Sequence, residues 1–137
     1  MTTDAYAKPL PYRTTWSAPF WDALREHRFV IQRCDDCDTP RFPPKPVCSH
    51  CLAEASRDVE VSGNGTVYSY TIVHRGAAPV FLEDGPYVIA LVDLDEGVRV
   101  MSNLVGCDLE AVEVGMPVRL RFEDVTPEVT LYRFEPA

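Results

Sequence analysis

Lysine is almost missing from this chain. Lys8 and Lys45 are its only two among 137 residues, against eleven arginines and 21 acidic side chains, and the formal net charge is −8. Nonspecific nucleic-acid binding depends on cations that neutralise phosphates, so this balance argues against it. Long hydrophobic runs are missing too. No stretch approaches the roughly 18 apolar residues of a membrane span, and the opening MTTDAYAKPLPYRTTW carries no apolar signal core. The expectation is a cytoplasmic protein, in a compartment where cysteines stay reduced and regular cysteine spacing points to metal rather than disulfides. No G-x-S-x-G elbow, P-loop or G-x-G-x-x-G occurs, so the familiar signatures of nucleophilic and nucleotide chemistry are absent. Internal repeats and low-complexity segments are absent as well.

What is present suits a globular chain. Hydrophobic residues make up 46% and charged residues 25%, which excludes a disordered tail. The length fits one domain, or one domain with a small appended module. Charge divides unevenly: residues 1–57 hold eight basic and seven acidic side chains, a net of +1, and residues 58–137 hold five and fourteen, a net of −9. All but one of the five cysteines and most prolines lie in the first part. A module boundary is therefore expected near Ser56–Val59. The expected division is an arm, helix and strand over 1–33, a cysteine-bearing module over 34–57 and a second domain over 58–137.

Pro9 and Pro11 make the first fifteen residues an extended arm. Ser17 is a candidate helix cap, with Pro19 in the first turn, where proline's missing N–H costs nothing. Phe20, Trp21 and Leu24 then form one apolar face of a short helix. Phe29–Arg33 reads as a strand. Pro40, Pro43, Pro44 and Pro46 keep the following segment extended. From Val59 onward, short strands alternate with turn signals. Thr66–His74 is rich in Val, Ile, Thr and Tyr. Tyr87–Leu94 is a nearly continuous apolar run, expected for a strand buried on both faces. Asp95-Glu96-Gly97 turns into Val98–Leu104, and a short helical turn is expected around Asp108–Val112. Pro117–Phe122 and Val129–Phe134 complete five strands with a break between the third and fourth, the pattern of a small Greek-key barrel of the OB type.

The strongest motif is Cys34-Asp-Asp-Cys37, ten intervening residues, then Cys48-Ser-His-Cys51. Two C-x2-C knuckles on a short spacer are a zinc-ribbon pattern, because each brings two sulfurs to one ion and a pair of them completes a tetrahedron. So short a segment has no apolar core of its own, so the metal would supply its folding energy. A redox dithiol would sit near a βαβ pattern, which is lacking; iron accepts the same four thiolates. Four sulfurs leave no open position for water or substrate, so the metal is read as a structural staple. His50, inside the second knuckle, is read as a surface residue or a donor to a ligand sulfur. Cys107 has no partner at ligand spacing and is read as a small apolar filler.

Other candidates are weaker. His74 ends a strand next to Arg75 and is a candidate base or ligand contact, though a lone histidine there is more often structural. Asp93, Asp95 and Glu96 resemble a carboxylate cluster but are better explained by a hairpin turn with solvated charges. Tyr68 and Tyr70 alternate on one strand face with Thr66 and Ile72; a stacking platform for bases would need a basic groove, so barrel wall or pocket lining is the better reading. Arg75, Arg99, Arg119, Arg121 and Arg133 are the only cations of the acidic part. Scattered arginines usually pair with nearby carboxylates; if several converged, they would suit the phosphates of a nucleotide-like ligand such as coenzyme A. Trp16, Phe20 and Trp21 are a large apolar load for a short helix. They pack on the chain's own barrel or zinc module, or form part of a partner interface.

From Phe20 to the carboxyl terminus the chain resembles the acyl-CoA-associated zinc-ribbon/OB-fold proteins whose genes accompany thiolases. The resemblance rests on FWDAL at 20–24, VIQRCDDC at 30–37, FPPKPVCSHC at 42–51, SGNGTVYSYTIVHR at 62–75, PYVIALVDLDEGVRVMSNLVG at 86–106, VGMPVRLRF at 114–122 and YRFEP at 132–136. Asp38 stands where the first knuckle often carries glycine. The resemblance implies a mostly β chain with an N-terminal helical arm, a rubredoxin-like zinc ribbon and a five-stranded OB-type barrel. It implies a structural Zn²⁺ on Cys34, Cys37, Cys48 and Cys51. It also implies an accessory subunit of a thiolase-type acyl-CoA enzyme, an acyltransferase or a steroid side-chain retro-aldolase, whose thiolase-fold partner holds the catalytic residues. Acyl-CoA is then a shared ligand, with His74 and Arg75 as candidate contacts and Trp16, Phe20 and Trp21 as the candidate partner interface. The alternative is a zinc-ribbon/OB-fold nucleic-acid-binding module, against which the −9 barrel half speaks.

Overall fold

A computed structural model of the chain describes residues 6–76 and 78–137. Helix α1, Ala18–Arg25, has proline in its first turn and buries Phe20, Ala23 and Leu24 on one face. The expected Ser17 cap is not formed. Ser17 already sits in helical dihedrals (φ −93°, ψ −13°), and its Oγ accepts the Thr14 backbone N–H at 2.8 Å, closing the turn before the helix rather than its first free amides. His27 then reverses the chain in the left-handed region, at φ 56°.

Strand β1, Val30–Cys34, lies between β2, Pro40–Arg41, and β3, Ser56–Glu60, in an antiparallel three-stranded sheet. The polar segment at which a junction was expected is thus itself a strand, with all five of its residues in register with β1. Beyond it, β4 (Asn64–Val73), β5 (Tyr87–Leu94), β6 (Arg99–Leu104), β7 (Pro117–Asp124) and β8 (Thr130–Pro136) form a closed five-stranded barrel in the order β4-β5-β6-β8-β7. A 3-10 turn at Leu109–Ala111 occupies the expected break between β6 and β7. A short helix, α2 (Pro79–Leu82), between β4 and β5 has no counterpart in the sequence reading.

Strand β5 corrects a second expectation. Val88, Ala90, Val92 and Leu94 are buried, whereas Tyr87, Ile89, Leu91 and Asp93 on the other face are only half-buried. Only the barrel side of this apolar run is fully covered within the chain. A β-bulge between Val67 and Ser69 shifts the register of β4, so Tyr68 and Tyr70 do not form the regular alternating face that the sequence suggests. Gly65 marks the tight crossing of β4 with β5 and β7. A Cβ there would lie 2.5 Å from the Asp93 carbonyl oxygen, so the position admits only glycine without backbone movement.

The ribbon sheet and barrel share one core. Phe20 of α1 packs edge-on against Phe29, Phe42 and Tyr132 at ring-centroid distances of 5.1, 5.3 and 5.7 Å, joining helix, ribbon and strand β8. Beside this cluster His27 stacks on Phe122 at 4.9 Å, and its Nε2 lies 2.9 Å from Asp124 Oδ1, which also accepts the Thr130 hydroxyl. Among the described residues, no helix is long and apolar enough to cross a membrane.

Candidate metal centre

The four knuckle cysteines converge although their segments lie apart in sequence. The Sγ atoms of Cys34, Cys37, Cys48 and Cys51 all lie within 4.8 Å of one another. Cys34 and Cys51 lie 3.5 Å apart and Cys37 and Cys48 3.6 Å apart, and all four are free thiols. A tetrahedral site with Zn–S bonds of about 2.3 Å has sulfur–sulfur edges of about 3.8 Å, so the donor set fits the ion.

The convergence has a local cause repeated twice. In the first knuckle the Asp38 amide bonds to the Cys34 carbonyl at 3.0 Å, and the Cys34 amide to the Thr39 carbonyl at 3.0 Å. In the second, the Leu52 amide bonds to the Cys48 carbonyl at 2.9 Å, and the Cys48 amide to the Ala53 carbonyl at 2.8 Å. Each knuckle then turns through a left-handed residue directly after its second cysteine, Asp38 at φ 63° and Leu52 at φ 67°. Asp38 in place of glycine is accommodated because aspartate enters this region more readily than most residues. Its carboxylate is also used, since Arg57 bonds to it and Arg33 lies 3.6 Å away.

Electrostatics favour a cation here. Backbone N–H groups of Cys51 and His50 hold the Cys48 thiol down at about 6. The Cys34 thiol is lowered by the backbone N–H groups of Cys37 and Asp36. The Ala53 amide works to lower Cys51 as well, yet the neighbouring sulfurs and burial together push it up to about 12. Crowded thiolates repel one another until a dication neutralises them, and Cys34 and Cys48 are sealed from solvent. His50 contributes its backbone amide, 3.4 Å from Cys48 Sγ, and its side chain is exposed. Four sulfurs complete the shell, which makes the centre a structural one.

The remaining candidates do not gather into a second centre. His74 and Arg75 are both exposed at the end of β4, and Arg75 makes no ion pair among the described residues. The other four barrel arginines each meet a carboxylate: Arg99 meets Asp93, Arg119 and Arg121 share Glu135, and Arg133 meets Glu123. Arg99 also stacks 3.4 Å over the Tyr68 ring. Asp95-Glu96-Gly97 forms the expected turn, with Glu96 Oε2 accepting the Ser62 amide at 2.9 Å. Cys107 is partly buried against the core. Of the three aromatic residues expected at an interface, Phe20 is withdrawn into the chain's own core at 4% exposure. Trp21 is half-buried beside it, and Trp16 remains 46% exposed, with Leu10 and Tyr12 exposed before it on the arm. Sequence reasoning passed over Arg41 of β2, a buried cation; its proline-rich neighbourhood gave no sign that the side chain would be enclosed.

Fold and site together define a two-module protein, a tetrathiolate zinc ribbon joined to an OB-type barrel. Residues 21–57 match the family described as "ChsH2, rubredoxin-like zinc ribbon domain", and residues 58–123 match "ChsH2, C-terminal OB-fold domain". A "DUF35 domain-containing scaffold protein" of Methanocaldococcus jannaschii is 34% identical over 124 residues, covering 85% of this chain and 87% of its own length. The chain therefore belongs to the DUF35 family, with domains of the ChsH2 type. A "Probable enoyl-CoA hydratase alpha subunit" of Thermomonospora curvata is 44% identical across 95% of this chain, which spans only 40% of that relative's length. Among solved structures, a chain of the "Ltp2-ChsH2(DUF35) aldolase" superposes with a TM-score of 0.83 at 43% identity, covering 93% of this chain and 98% of that one.

Proposed function

We propose that this chain is an accessory, noncatalytic subunit of a thiolase-type acyl-CoA enzyme, either an acyltransferase or a steroid side-chain retro-aldolase. Its partner is a thiolase-fold protein that carries the catalytic groups. The role of this chain is to stabilise that partner and to help form the acyl-CoA site. The observation that carries this reading is the near full-length likeness to the DUF35 chain of an aldolase. The closed tetrathiolate centre supports it, because a filled zinc shell gives structure and offers no Lewis-acid position.

The barrel's own surface supports a shared ligand site rather than a self-contained one. A cavity of about 240 Å³ is lined by Lys8, Phe81, Asp84, Tyr87, Glu123 and Arg133 among others, but Asp84 holds Lys8 at 2.5 Å and Glu123 holds Arg133 at 3.4 Å. Both cations are already neutralised, so a polyphosphate ligand would draw further positive charge from a second chain. In this reading exposed His74 and Arg75 contribute from this side of the shared site, and Trp16 with Trp21 forms part of the docking surface.

Co-expression with thiolase-fold proteins encoded nearby tests the proposal. The expected result is a stable hetero-oligomer in which acyl-CoA turnover depends on this chain. A chain that stays monomeric and leaves its neighbours' activity unchanged sinks the idea. Tight, salt-sensitive binding to single-stranded oligonucleotides would replace it with the nucleic-acid reading.

A further inference from the structure

Arg41, in the ribbon, is buried beyond what its hydrogen-bond partners explain. Its side chain is 3% exposed, yet Nε and Nη2 are sealed from solvent with no hydrogen-bond partner. Its single side-chain bond runs from Nη1 to the Lys45 carbonyl at 3.0 Å. The ribbon carboxylates Asp35 and Asp38 are taken by Arg57 and Arg33, and Arg41 enters no ion pair among the described residues. A buried guanidinium without a countercharge is costly, and structures tolerate one only where negative charge lies nearby.

Register supplies that charge. Arg41 pairs directly with Gln32 across β1 and β2, so the two side chains share a face of the sheet. Cys34 is two residues beyond Gln32 on β1 and therefore lies on the same face. The Cys34 amide bonds to Thr39, which makes Arg41 the diagonal neighbour of Cys34, a relation that places backbones roughly 7–8 Å apart and within reach of a long side chain. The loop after β2 crosses this face. Arg41 takes the Lys45 carbonyl, and Gln32 Oε1 takes the Lys45 amide at 2.8 Å. That loop delivers Cys48, the other sealed ligand.

We infer that Arg41 is the buried countercharge of the metal centre, neutralising from within the sheet the excess negative charge of four thiolates on one dication. This rests on the zinc reading of the four cysteines. Arg41 is a positioning residue: it touches the loop that carries the second knuckle and acts on the metal through the charge of the sulfurs. Asp58, paired with Gln32 from β3, is exposed and makes no ion pair with Arg41, which leaves the thiolates as the countercharge this face offers.

The test is zinc affinity of the full chain, by competition with a chromophoric chelator, alongside the cobalt-substituted thiolate charge-transfer spectrum and far-ultraviolet circular dichroism. Arg41→Gln keeps a donor for the Lys45 carbonyl and removes the charge; its zinc affinity is expected to fall about 10–100-fold. Arg41→Lys restores the charge and is expected to stay within about threefold of the parent, and Gln32→Ala, which releases the same loop without changing charge, likewise. Parental affinity in Arg41→Gln overturns the inference. So does an Arg41→Lys chain as weak as Arg41→Gln, or a Gln32→Ala chain as weak as either. If Arg41→Gln does not fold, the lysine variant alone decides, since weak zinc binding in a folded Arg41→Lys chain refutes a charge role. A parent chain that binds no zinc would instead overturn the metal reading itself.

Discussion

Truncating Phe20 should uncouple the helix, ribbon and barrel at once. The ring is 4% exposed and meets Trp21, Phe29, Phe42 and Tyr132 at centroid distances of 5.0 to 5.7 Å, all edge-on. Replacing a buried phenylalanine by alanine costs about 3–5 kcal/mol, the transfer energy of the lost ring plus a cavity that rigid neighbours cannot fill. Against a typical total of about 5–15 kcal/mol this is a large fraction. With a urea slope of about 2 kcal/mol/M, the unfolding midpoint of the zinc-loaded chain should fall by roughly 1.5–2.5 M. Circular dichroism follows the barrel, and tryptophan fluorescence follows Trp21 beside the lost ring. A double-mutant cycle with Tyr132→Ala isolates the contact between α1 and β8, expected at about 0.5–1.5 kcal/mol. A loss below about 1 kcal/mol for Phe20→Ala would refute the reasoning, because it would mean that the helix does not hold the two modules together.

Three further outcomes are expected. Trp16→Ala, at a half-exposed ring, should leave the urea midpoint within about 0.5 kcal/mol of the parent yet weaken the hetero-oligomer, seen by size-exclusion chromatography of the co-expressed pair. Stripping zinc with a chelator should unfold the ribbon while the barrel retains strand signal, and cysteines 34 and 48, sealed in the folded site, should then react with a thiol reagent. Tyr132 is pushed up to about 12 by burial, against an ordinary phenol near 10. The unfolded chain therefore releases this proton first, and stability, fully present below pH 10, should fall by about 2–3 kcal/mol as pH rises to 12. Comparing urea midpoints at pH 9 and 11.5 checks this, and Tyr132→Phe should remove that part of the slope.

The zinc ribbon was legible because chelation imposes an exact spacing on sequence. Two C-x2-C pairs placed all four ligands, and the structure gathers them within 4.8 Å. The barrel was legible because turn signals and apolar strands recur at short intervals, and β5 has the expected bounds, Tyr87–Leu94. Strand β3 was not: Ser56-Arg-Asp-Val-Glu60 has one apolar residue, and its pairing with β1 is made by backbone groups that side chains do not announce. The two faces of β5 could not be separated either, since a run of apolar residues has no period and only tertiary packing decides which side is covered. Phe20 and Trp16 illustrate the same limit. Both are aromatic and close in sequence, but the turn closed by Thr14 and Ser17 directs one into the core and leaves the other exposed.

In the proposed assembly, these features would let a metal without an open coordination position matter to the partner surface. The ribbon lacks the apolar bulk to order itself, so the four thiolates fix the end of β1 at Cys34. Fixing β1 fixes the approach of Phe29, which abuts Phe20 at 5.1 Å, and Phe20 sets the pitch of α1 against β8 through Tyr132. The exposed Trp16 immediately precedes that helix. Bound zinc would therefore act on the arm through a chain of rigid aromatic contacts, with no ligand or substrate touching the ion. If the arm docks the proposed partner, loss of the metal should consequently reduce that binding even though Trp16 is remote from the cysteines in sequence. An arm that bound equally well with the ribbon unfolded would show the two to be independent.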